Sequence, residues 1–68
     1  MKSLSGKEFA ALLQKNGWEL VRVRGSHHVY TREGSTARLS VPIHGNKPLK
    51  RGLLLHLMKL AQIETTDE

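Results

Sequence analysis

The segment Gly25-Ser26-His27-His28 has the residue types and spacing best suited to chemistry in this chain. A Gly-Ser pair accommodates the unusual backbone angles of a tight turn, and such a turn would present His27 at the mouth of a short strand. Arg22 and Arg24 precede the turn, and Pro42-Ile43-His44-Gly45 closes the following strand. Imidazole titrates near neutral pH, which suits proton transfer to or from a hydroxyl such as a ribose 2′-OH. Neighbouring guanidiniums suit the charge that develops on phosphorus oxygens. The constellation therefore points to phosphodiester chemistry, with His27 as general base or acid and Gly25-Ser26 as the turn that positions it. An ordinary turn histidine bonded to backbone fits the same residues, and they do not choose between the two.

The other histidines read differently. His28 shares strand parity with Tyr30 and is expected to be structural. His44 is either a second acid–base group or a turn residue, and His56 belongs to the polar flank of a helix. No HExxH pattern or helical i, i+4 histidine pair occurs, and no Asp or Glu lies near His27 or His44 in sequence, so no metal or other cofactor is expected. Cysteine is absent, which excludes disulfides and thiolate metal sites.

These side chains must be carried by a small scaffold. The 68 residues are expected to form one domain, 1–68, with a thin core and a frayed tail at 64–68. Ser5 and Glu8 have capping-box spacing, Leu4 and Phe9 fit a hydrophobic staple, and Gly17 is a left-handed stop, predicting a helix over 6–16. Three extended stretches follow: Trp18 to Arg24, His28 to Arg32, and one in which Ala37, Leu39, Val41 and Ile43 alternate with Arg38, Ser40, Pro42 and His44. Connections this short allow only an antiparallel meander, and Pro42 marks an edge or a strand end. Pro48 suits the first turn of a second helix. On that helix Leu49, Leu53, Leu54, Leu57, Met58, Leu60 and Ala61 make the apolar arc, Leu55 falls outside it, and Gly52 suggests close packing. The predicted fold is α+β: an αβββα order, with a three-stranded antiparallel sheet covered on one face by two helices.

A consistent register places Val21, Val23, His28, Tyr30, Leu39 and Val41 toward the helices. Arg22, Arg24, His27, Arg38, Ser40 and His44 then share the uncovered face. The weak step is strand one, where Leu20 competes with Val21 for the inward position and a one-residue slip would invert the strand. The chain carries 11 Lys+Arg against 6 Asp+Glu, a net of +5. Three of those acids lie in the last five residues, so residues 1–63 hold 11 basic and 3 acidic side chains, a net of +8. A surface this basic favours a polyanion, with Arg22, Arg24 and Arg38 as phosphate binders. No signal-like or membrane-length apolar run is present, so a cytoplasmic protein without membrane contact is expected. The residues fit three functions: a nuclease, a non-catalytic RNA-binding module, or a small interaction protein for an acidic partner.

Gly17-Trp18, Val21-Arg22, Gly25-Ser26-His27-His28, Tyr30, Val41-Pro42, His44, Leu49-Lys50, Gly52, Leu57-Met58, Ala61 and Ile63 follow in an order and spacing that resembles the HicA-type mRNA interferase toxins. The likeness runs from Ser5 to Ile63. Leu55 and Leu60 stand where that family usually has polar residues, and Gln62 replaces a common glycine. The resemblance implies a double-stranded-RNA-binding-domain-like fold and metal-independent cleavage of mRNA. It also implies growth arrest, and inhibition by a HicB-type antitoxin. It assigns catalysis to His27 and makes His44 and the nearby Lys47 candidate RNA contacts. No direct DNA binding is expected of this chain alone.

Overall fold

A computed structural model describes residues 3–63. The expected tail at 64–68 lies outside the described residues. The element order is α1 (Gly6–Lys15), β1 (Glu19–Arg24), β2 (His27–Thr31), β3 (Leu39–Pro42) and α2 (Arg51–Ala61), the αβββα arrangement read from the sequence. The strands form one antiparallel sheet in the order β1-β2-β3.

Helix α1 starts where its local chemistry requires. The Ser5 hydroxyl accepts from the Glu8 amide at 3.1 Å, and the Ser5 amide donates to Glu8 Oε1 at 2.9 Å. This reciprocal capping box satisfies two of the helix's orphan donors. Leu4 packs against the core beneath the cap. The helix ends at Gly17, whose φ of +90° is open to glycine at no steric cost.

Phe9, Ala10 and Leu13 of α1 are buried against Trp18, Tyr30, Leu39 and Val41, and Leu54, Leu57, Met58 and Ala61 of α2 complete the core. Trp18 is further covered by the Arg32 guanidinium, 5.0 Å from the ring centroid. Arg32 also donates to Gln62 Oε1 at 3.0 Å, tying the β2 end to the end of α2. Gln62 itself holds φ +60°, which explains why a glycine suits that position.

Four details differ from the sequence reading. The competition between Leu20 and Val21 is resolved by a register shift: Leu20 pairs with Tyr30 and Arg22 with Val29, leaving Val21 as the extra residue. Leu20 and Val23, rather than Val21 and Val23, thus share the face of Tyr30 and His28. Pro48 precedes α2 instead of opening it. It lies in an extended segment bridged to Ser5, where the Leu49 amide donates to the Leu4 carbonyl at 2.7 Å. Leu60 is 40% exposed and lies outside the apolar arc, as Leu55 does. Gly52 faces open space, so no close packing requires it.

The glycine that packing does require is Gly6. A Cβ there would run into the Pro42 carbonyl oxygen and come within 3.0 Å of the Ile43 Cα. The first turn of α1 is thus seated directly on backbone at the end of β3. Gly6→Ala is expected to destabilise the fold by about 2 kcal/mol, as overpacking of a rigid contact does. Gly52→Ala should leave stability unchanged or raise it by up to about 1 kcal/mol. Thermal denaturation of both variants checks this contrast, and equal midpoints would contradict the Gly6 contact.

Candidate active site

The β1–β2 connection is a two-residue hairpin loop, Gly25-Ser26, between the paired residues Arg24 and His27. Gly25 holds φ +59° while Ser26 has no positive φ, the type II′ pattern that matches strand twist. The Ser26 carbonyl accepts from the Ile43 amide at 2.8 Å, so the loop is tied to the chain leaving β3. His27 is therefore the first residue of a central strand, hydrogen-bonded on both sides, with Arg24 across on β1 and Pro42 across on β3.

Cross-strand partners point to the same face. His28 pairs with Val23 and Val41, and Tyr30 with Leu20 and Leu39; both sets lie on the helix side, where Leu39 and Val41 are fully buried. Burial also pushes the Tyr30 hydroxyl above the ordinary phenol range, so this side chain stays neutral. The opposite face carries Arg22, Arg24, His27, Val29, Ser40 and Pro42. Arg22, Arg24, His27 and Ser40 are all exposed there.

One contact on this face was not anticipated. His27 Nδ1 lies 3.3 Å from Ser40 Oγ, a diagonal neighbour across β2 and β3. Sequence alternation had placed Ser40 on the same face, but it could not reveal this partner. The bond holds one ring nitrogen, and among the described residues Nε2 has no hydrogen-bond partner. Which atom donates is set by the tautomer, and a serine hydroxyl can serve either role.

The remaining candidate residues lie outside the strands. Arg38 is exposed just before β3 begins. His44 and Lys47 lie beyond β3 in a turn closed by the Lys47 amide donating to the His44 carbonyl at 3.0 Å. Both line a cleft with Pro42, Pro48, Leu49, Lys50 and Leu53. His56 is exposed on α2, away from these groups in sequence and on another element. Among the described residues, no three His, Cys, Asp or Glu side chains are gathered as a metal site would need. Also among the described residues, no helix is long and apolar enough to cross a membrane.

A search for similar curated proteins found no match. The family model described as the HicA toxin of bacterial toxin–antitoxin systems matches residues 6–63, which spans every element from α1 to the end of α2. With that match over most of its length, and the αβββα fold in place, the chain belongs to the HicA toxin family.

Proposed function

We propose that this toxin is a metal-independent endoribonuclease that cleaves mRNA through His27. The observation that carries this reading is the His27–Ser40 pair on the open face of the sheet, with Arg24 directly across the strand pair from His27. In the tautomer whose Nδ1–H donates to Ser40, Nε2 presents a lone pair to solvent. That nitrogen takes the proton of a ribose 2′-hydroxyl as its oxygen attacks phosphorus. The resulting imidazolium keeps its bond to Ser40 and returns the proton to the departing 5′-oxygen. The new P–O2′ bond thus replaces the broken P–O5′ bond, and no other reactant is needed. Arg22, Arg24 and Arg38 hold the phosphate and offset charge on its free oxygens. The Gly25-Ser26 loop sets where the imidazole stands, while His44 and Lys47 contact RNA beyond the scissile bond.

Growth arrest follows from loss of translated RNA, and a HicB-type antitoxin is the partner that opposes it. The family supplies an antitoxin as a class; the basic face supplies a reason for an acidic one. Residues 34–63 contain no Asp or Glu, so a large part of the chain offers no internal neutralisation.

His27→Ala should abolish RNA cleavage and growth arrest while circular dichroism and thermal midpoint stay near wild type. Ser40→Ala removes a single hydrogen bond and should lower kcat by about two- to tenfold, with recovery in Ser40→Thr. Chelation with EDTA should leave the wild-type rate unchanged. A His27→Ala protein that cuts at the wild-type rate overturns the assignment.

RNA affinity should also fall with salt. Neutralising Arg22, Arg24 or Arg38 one at a time should make the log–log salt slope shallower by up to about one unit each. An unaltered slope in any of the three variants would remove that arginine from the phosphate contacts.

A further inference from the structure

The cleft beyond β3 has a volume of about 260 Å³ and is lined by apolar residues, Pro42, Pro48, Leu49 and Leu53, together with His44, Lys47 and Lys50. We infer that it is a nucleotide subsite, in which one base of the RNA stacks on His44 against the apolar wall while Lys47 and Lys50 hold its phosphate. This rests on the nuclease reading of the His27 face and adds to it a determinant of sequence preference.

Three observations converge. The first is position. Pro42, which forms part of the cleft wall, is the direct cross-strand partner of His27, so its backbone lies one strand spacing, about 4.8 Å, from that of the proposed catalytic residue. A strand of RNA with its phosphate at His27 places a neighbouring nucleotide there. The second is size. The space falls below the roughly 300–1,000 Å³ of sites that enclose a whole small molecule, and suits one planar group entering from a longer chain.

The third is charge. Lys50 is the N-cap of α2 and makes no side-chain cap bond, Arg51 follows it, and no acid stands in the first turn. Cations at the positive end of a helix oppose its dipole, and a bound anion relieves that opposition. A cleft lined by both apolar residues and lysines matches a nucleotide, which combines a flat apolar face with an anionic link. Single-stranded RNA is bound in this way elsewhere, by stacking plus a basic track. Under this assignment His44 stacks on a base and moves no proton.

The test uses the full chain carrying His27→Ala, followed by amide NMR, with the four nucleoside 5′-monophosphates and inorganic phosphate as probes. The nucleotides should shift the amides of His44, Lys47, Lys50 and Leu53, with affinities that differ severalfold among the bases. Phosphate should act more weakly and spare Leu53. If phosphate reproduces the whole pattern, or no cleft amide moves, the inference falls. It falls equally if those amides respond to the antitoxin and to none of the nucleotides, since the cleft is then a protein-docking groove.

A kinetic arm in the His27 background separates stacking from proton transfer. His44→Ala should raise KM for RNA about tenfold and flatten base preference at one position of the cut site, and His44→Phe should restore both in large part. A loss confined to kcat, equal in the two variants, would make His44 an acid–base group instead. Should the wild type cut no RNA at all, the nuclease reading fails while the NMR result still decides the cleft.

Discussion

The seating of Gly6 on Pro42 and Ile43 is the contact on which the site depends. It is backbone against backbone, so it has little freedom to relax and admits no larger residue without displacement. Its neighbours extend it in both directions. The Leu49 amide bonds the Leu4 carbonyl on one side, and the Ile43 amide bonds the Ser26 carbonyl on the other. The capped start of α1 thereby fixes the end of β3, the approach to α2 and the loop that presents His27. The strand end beside His27 is thus braced by a helix packed against Pro42 and Ile43.

This arrangement divides the sheet's two faces between the packed core and the proposed site. The helix side takes Tyr30, Leu39 and Val41 together with both helices, and there His28 is half-buried beside Val41. The other side keeps its arginines, His27 and Ser40 in water, where their charge is available to a ligand but is also screened by salt. Every residue of β1 is exposed, including Leu20, Val21 and Val23. The core accordingly leans toward β3, and β1 presents its arginines outward while adding little to packing.

Much of this was legible in the sequence because it is governed locally. The Ser5–Glu8 box, the stop at Gly17 and the alternation of Leu39 and Val41 with Ser40 each depend on residues close together in the chain and appear where expected, although β3 is confined to Leu39–Pro42 and leaves Ala37, Arg38 and Ile43 outside it. Strand parity was enough to put Arg22, Arg24, His27 and Ser40 on one face. What escaped depends on partners far apart. Pro48 satisfies the preference for a helix start, yet tertiary pairing with Ser5 draws it into an extended segment. The reason for Gly6 lies 36 positions away, at Pro42. Two apolar residues in succession, Leu20-Val21, announce an irregularity but not which of them becomes the extra one. The Ser40 contact with His27 needs the register of two strand pairs before it can be seen.

The central claim is that His27 directs a ribose 2′-hydroxyl at the adjacent phosphate. The most direct measurement compares an RNA with its counterpart bearing a single 2′-deoxy substitution just 5′ of the cut, using toxin freed of antitoxin. Binding and cleavage are followed for both. The account predicts equal binding, scission of the all-ribose strand and an intact deoxy strand. Equal scission of both would contradict it by making water the nucleophile, and binding without scission of either would leave the protein an RNA-binding module.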